Sequence, residues 1–198
     1  MTLLGRVGQV WVFPVKSMTG SLLDAVDLDA GGLVGDRAWG VVDPEGATVT
    51  AAHEPRLRAV AARLVGGSLH LDVPDAPGGL AGEEADEALS SWLGRQVRLE
   101  RRDGAGFVDV APVHLVSARS MADAEHAESC DACDVTAPRA NLVLDLEPGA
   151  PGERDWVGTT VTVGGAALDV VRLPGHCLGV YAEVPRPGMV SVGDEVRG

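Results

Sequence analysis

Glycine and proline cut this chain into pieces too short for most of it to be helical. The 198 residues include 26 Gly and 12 Pro. The apolar runs between them span about four to eight residues, the length of strands. Strand-like runs fall at residues 9–15, 22–28, 38–42, 48–52, 58–65, 68–73, 97–101, 113–116, 141–146, 159–163, 167–171, 178–184 and 193–196. Gly66-Gly67 and Gly164-Gly165 each separate two of these runs and read as hairpin turns. Asp43-Pro44-Glu45-Gly46 is a further turn signal. Only residues 83–93, with an acidic first turn and Gly94 as a stop, and residues 120–128, with Ser120 as N-cap, read as helices. The expectation is a mainly β (α+β) chain built from barrels, not a doubly wound sheet. A loop rich in Pro, Gly and Ala at 74–82 and a linker at 103–106 set a soft division into residues 1–103 and 104–198. No repeat of fixed period, phosphate loop or dinucleotide fingerprint occurs.

Charge narrows the partners. Sixteen basic against 29 acidic residues leave a formal charge of −13, a field that repels nucleic acid and anionic lipid. No apolar run approaches the ~20 residues that span a bilayer, and Met1-Thr2-Leu3-Leu4-Gly5-Arg6 does not read as a secretory signal. Three cysteines, an odd and small number, point to free thiols in a reducing, cytoplasmic setting. Fifteen of the 16 basic residues are Arg, and the single lysine is Lys16. A compact ammonium on a thin stem offers something a guanidinium fork does not.

Several residues stand out as chemistry-bearing. Cys177 lies in Pro174-Gly175-His176-Cys177-Leu178-Gly179, a loop between two strand-like runs. Beside His176 it reads as a nucleophilic thiolate, a metal ligand or a small buried residue. Cys130 and Cys133 form one Cys-x-x-Cys pair, half of a zinc site, with acidic neighbours that raise thiol pKa values. Two exposed thiols or a redox pair is the alternative. Arg139 and Asn141 precede an apolar strand, where alternation places them on one face suited to phosphate or carboxylate. In Gly35-Asp36-Arg37, a turn leads into a strand and Arg37 is placed to pair with Asp36. Asp155 and Trp156 sit on a loop before Gly158, and His53, His70 and His114 read as structural or surface residues.

Taken in order, Phe13-Pro14-Val15-Lys16-Ser17-Met18, Gly35-Asp36-Arg37-Ala38-Trp39, Asp43, Arg139-Ala140-Asn141-Leu142-Val143, Asp155-Trp156-Val157-Gly158, His176-Cys177 and Pro187-Gly188-Met189-Val190-Ser191-Val192-Gly193-Asp194 resemble the MOSC family, named for the C-terminal domain of molybdenum cofactor sulfurase. The resemblance implies a MOSC-type β-barrel with a smaller N-terminal β-barrel-like domain and a few short helices. It implies molybdopterin in a cleft shared by the two parts, molybdenum held by Cys177, and Lys16, Ser17, Arg37, Arg139 and Asn141 lining the cofactor site. Buried phosphate requires such cations and donors, and a soft thiolate suits molybdenum. His176 stands where reductases of the family commonly have Arg, and the segment 178–188 is short. No pyridoxal-phosphate domain or iron–sulfur module is expected within the chain. Electrons for a reductase acting on N-oxygenated small molecules would come from a donor protein in trans. The alternatives are a sulfur carrier, with a persulfide on Cys177 loaded by a cysteine desulfurase, and a non-catalytic binding module.

Overall fold

The structure, a computed structural model, describes residues 1–104, 106–126, 139–175 and 178–198. Its strands are β1 Leu3–Val12, β2 Ser21–Leu23, β3 Ala25–Asp29, β4 Gly32–Leu33, β5 Trp39–Val42, β6 Thr48–Val49, β7 Ala61–Val65, β8 Ser68–Asp72, β9 Arg98–Arg101, β10 Val113–Ser117, β11 Leu142–Leu146, β12 Thr160–Val163, β13 Ala166–Arg172, β14 Val180–Arg186, β15 Gly188–Ser191 and β16 Glu195–Arg197. Two α-helices, α1 Gly82–Leu93 and α2 Ala118–His126, and two 3₁₀ turns, Pro55–Ala59 and Glu153–Trp156, complete the described elements. Among the described residues no helix is long and apolar enough to cross a membrane. The mainly β expectation is met.

In space the chain forms two compact units, each discontinuous in sequence: Met1–Trp11, Leu22–Val34 and Asp109–Gly198, and Val12–Ser21 with Gly35–Val108. In the first, the strand order β11-β10-β14-β13-β12-β16-β1 closes through a β11–β1 pairing into a seven-stranded barrel, with β2 added beside β1. β10 and β11 run parallel, with α2 as the crossover between them. The long strand β1 closes the barrel by pairing antiparallel with β11 on one side and β16 on the other. Inward positions hold Val7, Val10, Leu115, Leu142, Leu144, Leu168 and Val170, all essentially buried. Gly5 sits in the β1–β11 ladder where a β-carbon would strike the Asp145 carbonyl, so this close strand approach requires glycine. A small β15-β3-β4 sheet completes the unit.

The second unit holds β5, β6 and β9, the β7–β8 hairpin and α1 around a core of Val15, Met18, Val41, Leu57, Leu71, Leu89 and Leu93. The hairpin turns at Gly66 and Gly67, with φ of 58° and 83°, as a two-residue turn of primed type demands. Helix α1 buries Ala85, Leu89 and Leu93, one face at i, i+4 and i+8. It ends at Gly94 with φ 67°, where the N–H of Arg95 reaches back to the Ser90 carbonyl in a Schellman-type stop. The Arg56 guanidinium donates to the last carbonyls, Trp92 and Leu93, at 3.2 Å each.

Some boundaries differ from the sequence expectation for local reasons. The run at 22–28 splits into β2 and β3 at Asp24. Helix α2 begins at Ala118, so its N-cap is Ser117, whose Oγ accepts from the Ser120 N–H at 3.0 Å. Ser120, expected to cap, occupies the N3 position and supplies the capped N–H. Asp155 and Trp156 lie on a 3₁₀ turn, not a loop.

Two carboxyls, Asp86 half-buried and Glu153 fully buried, give stability tests. Burial pushes the Asp86 pKa up from 3.8, opposed by the Leu99 N–H that donates to Oδ1 at 2.8 Å. Both states are protonated well below 3.8, so the penalty appears as pH rises from there through the raised folded value. Asp86→Asn keeps an acceptor for Leu99. In denaturant titrations it is expected to exceed the wild type in stability at pH 7 and to lose that advantage below pH 3.8. Glu153 is 0% exposed, and its carboxylate oxygens find no hydrogen-bond partner among the described residues. Glu153→Met, similar in volume and without the desolvated carboxyl, should raise the unfolding free energy by about 1–3 kcal/mol, and a lower value would contradict this account.

Candidate functional site

Within the second unit, two segments run side by side. The Arg37 N–H donates to the Phe13 carbonyl at 2.7 Å, the Trp39 N–H to Pro14 at 3.0 Å, and the Lys16 N–H to Trp39 at 2.9 Å. Val15 and Trp39 thereby form a parallel bridge. The Met18 N–H closes back on the Val15 carbonyl at 3.2 Å, which places Lys16 and Ser17 at the two central positions of a β-turn. Ser17 has φ 70°, the positive value that the third position of a type II turn requires. The structure therefore brings Lys16, Ser17 and Arg37 together on one hydrogen-bonded pair of segments.

Asp36 locks that pairing. Its carboxylate accepts from the Phe13 N–H at 2.7 Å and forms an ion pair with Arg37. The Asp36 side chain is 2% exposed and the Arg37 side chain 18%. The local Asp36–Arg37 pair expected from sequence is present, and Arg37 also lies over the Phe13 ring, 5.4 Å from its centroid. The Lys16 ammonium donates to the Phe107 carbonyl at 3.1 Å, and the Ser17 hydroxyl oxygen accepts from the Ala51 N–H at 3.0 Å. Phe107 carried no signal in sequence beyond being apolar near a linker.

Arg139 and Asn141 belong to the first unit. Asn141 is fully buried, and its amide serves the backbone. Oδ1 accepts from the His114 N–H at 3.1 Å, and Nδ2 donates to the Trp11 carbonyl at 3.3 Å. Its own N–H and carbonyl bond the same two residues, His114 and Trp11. Asn141 thus fastens β10 to β1 just before β11 begins. Arg139 has φ 53°, so the extended alternation expected to align it with Asn141 is broken there.

His114 is the structural residue that sequence foresaw, with a sharper duty. Its Nε2 pairs with the Leu178 carbonyl at 2.7 Å, and its ring packs 5.0 Å from that of Tyr181. Gly179 lies against β10 with φ 79°, where a β-carbon would collide with the Leu115 carbonyl. One residue therefore anchors both the entry to β11 and the segment that follows Cys177. His176, Cys177, Cys130 and Cys133 lie outside the described residues, as does Ala105. Among the described residues no three His, Cys, Asp or Glu side chains gather as a metal site.

The donor chemistry fits a phosphorylated ligand. Lys16, Ser17 and Arg37 of the second unit supply ammonium, hydroxyl and guanidinium groups in a chain of charge −13.

Residues 4–82 match the family model described as the MOSC N-terminal beta barrel domain. Mitochondrial amidoxime reducing component 2 of Rattus norvegicus is 40% identical over 75 residues, 36% of this chain and 22% of that protein. Mitochondrial amidoxime-reducing component 1 of Homo sapiens is 39% identical over 72 residues, 34% of this chain and 21% of that protein. The match thus spans about a fifth of the length of these relatives. Among solved structures, the YUAD protein of Bacillus subtilis is similar at 15% identity and a TM-score of 0.48, covering 98% of this chain and 94% of that one.

Removing the Asp36 carboxylate tests the lock. Asp36→Ala takes away the acceptor of the Phe13 N–H and the partner of Arg37. Urea denaturation should report a loss of about 2–4 kcal/mol. Asp36→Asn keeps an acceptor for Phe13 and should lose clearly less; equal losses would mean that the backbone bond to Phe13 contributes nothing.

Proposed function

We propose, from the match of residues 4–82 to the MOSC N-terminal beta barrel domain, that this chain is a MOSC-type protein that binds molybdopterin and acts as a reductase of N-oxygenated small molecules. The observation that carries the reading is the assembly of Lys16, Ser17 and Arg37 on paired segments held by Asp36. All three lie within the stretch that matches the family model. The relatives that align there are named for reducing amidoximes, compounds with nitrogen bound to oxygen.

On this reading each residue has a task. Lys16 and Arg37 neutralise the cofactor phosphate, and the Ser17 hydroxyl donates to it. Pairing of this kind offsets the cost of desolvating a phosphate. Arg37 serves as a fixed cation because Asp36 and the Phe13 ring orient it. In the first unit, Asn141 sets the start of β11, since its amide is committed to Trp11 and His114, and Arg139 is the guanidinium two residues before it. Cys177 supplies the thiolate ligand to molybdenum, with His176 beside it. When bound, the cofactor would supply oxygen-accepting redox chemistry toward the N–O group, the oxygen leaving as water with two electrons from the donor protein and two protons from solvent. Electrons come from a donor protein in trans.

Metal and pterin analysis of the full chain from a cofactor-competent host tests the reading. The wild type should carry molybdenum and fluorescent oxidised pterin near one per chain. Cys177→Ala should lose the metal, and Lys16→Ala should lose pterin by about tenfold, the worth of one charge-assisted contact. A wild type free of both would overturn the reading. In that case a persulfide on Cys177 after incubation with a cysteine desulfurase would identify a sulfur carrier instead.

A further inference from the structure

The dipeptide Asp-Gly occurs once in the chain, at Asp103-Gly104. It is the pair in which a carboxyl most readily reacts with the backbone that follows it. The next amide nitrogen can attack the side-chain carbonyl carbon, and glycine puts no β-carbon in the way. Here the local conditions favour that attack. The Asp103 side chain is 96% exposed, and among the described residues it pairs with Arg101 alone, at 4.0 Å. Gly104 is exposed with φ 70°, and among the described residues no acceptor takes its N–H. Neither reacting group is therefore held back by a hydrogen bond. The one asparagine of the chain, Asn141, is followed by Leu142 and is fully buried, so it offers no competing site.

The pair lies between two backbone anchors. The Arg102 N–H donates to the Ala38 carbonyl at 2.9 Å, and the Phe107 N–H to the Arg37 carbonyl at 2.8 Å. The Arg102 guanidinium lies 4.0 Å over the Phe107 ring, so the two anchors are also joined to each other. The return leaves no slack. Gly106, with φ 56°, packs where a β-carbon would come within 2.4 Å of the Arg37 carbonyl oxygen. The Phe107 ring is buried against Gly40, where a β-carbon would come within 2.5 Å of Cε1. The carbonyl of Phe107 then accepts from the Lys16 ammonium at 3.1 Å. A change of backbone length at residue 103 has to be absorbed between these anchors.

We propose that Asp103-Gly104 is a site of spontaneous backbone isomerisation, and that the isoaspartate it yields loosens the Phe107 carbonyl that holds Lys16. The Gly104 nitrogen bonds to Asp103 Cγ, and the amide proton leaves with the carboxyl hydroxyl as water, closing a succinimide ring. Water then opens either of the ring's C–N bonds. Opening at Cγ returns aspartate. Opening at the former peptide carbonyl leaves the chain running through Cβ and Cγ, which lengthens the backbone by one atom and turns the old carbonyl into a carboxylate. One water is lost and one gained, nothing is oxidised or reduced, and the mass is unchanged. The chemistry needs no cofactor and is independent of the function proposed above.

Peptide mapping of the full chain, kept at mildly acidic pH and body temperature, tests this. The peptide containing residue 103 should split into two chromatographic peaks of equal mass, and the new one should accept methyl groups from an isoaspartyl methyltransferase. Asp103→Glu keeps the charge but would have to close a larger ring, and it should stay unmodified. Asp103→Asn carries a better leaving group and should convert faster, with release of ammonia. Hydrogen exchange on the separated forms reads the consequence. The Phe107 amide should lose protection by about tenfold in the isoaspartyl form, while amides of the β7–β8 hairpin in the same unit stay unchanged. An unmodified residue 103, isoaspartate spread evenly over the other aspartates, or equal conversion of Asp103→Glu overturns the site. Isoaspartate at residue 103 with Phe107 fully protected overturns the coupling to Lys16.

Discussion

The buried carboxylate of Asp36 holds one strand-like segment to another, and the cationic face of the second unit depends on it. By accepting the Phe13 N–H and pairing with Arg37, it fixes both partners of the Phe13–Lys16 and Arg37–Trp39 alignment. An aspartate with a 2% exposed side chain is tolerable only because it is so engaged. Without it Arg37 would be a long side chain with rotamer freedom, and the turn carrying Lys16 and Ser17 would lose its neighbour. The interaction thus converts two sequence-distant motifs into one surface.

The first unit solves the same problem with amides. Asn141 replaces a missing stretch of ladder by bonding Trp11 and His114 with backbone and side chain alike. His114 in turn fixes Leu178. Among the described residues, three of the four non-glycine residues with positive φ are Ser17, Arg37 and Arg139. Each costs the fold roughly 1 kcal/mol. At Ser17 and Arg37 bonded neighbours hold the backbone in place, through the Val15–Met18 turn and the Phe13–Arg37 pairing.

Much of the fold was legible because its signals are local. Gly66-Gly67 and Gly164-Gly165 mark hairpins, with φ > 0 at Gly66, Gly67 and Gly164, Gly94 stops α1, and the short apolar runs forecast strands. The barrel closure was not legible. It rests on β1 pairing with β11 and β16, partners more than a hundred residues away, and period-two alternation says nothing about which strands meet. The Asp36–Arg37 pair was readable because its members are adjacent. Phe107 and Glu153 were not: one is significant through its carbonyl and the other through the absence of described partners, and neither property is encoded by residue type.

In a chain of charge −13 the cations of the second unit are held by neutral groups as well as by carboxylates. Carboxylate pairing one to one cancels the charge of the guanidinium it holds, as Asp72 does for Arg63. Aromatic faces do not cancel charge; they orient it through the ring quadrupole and leave the far edge of the cation to other acceptors. Arg37 on Phe13, Arg101 on Trp39 and Arg102 on Phe107 are all supported this way, while Lys16 rests on a neutral carbonyl. Glu100 is divided between Arg98 and Arg102, so its single charge cannot neutralise both. The second unit therefore holds several guanidinium groups on aromatic faces within an acidic protein. Repulsion from the rest of the chain would then limit which anions reach it, favouring those with enough charge and enough donor contacts to overcome the field.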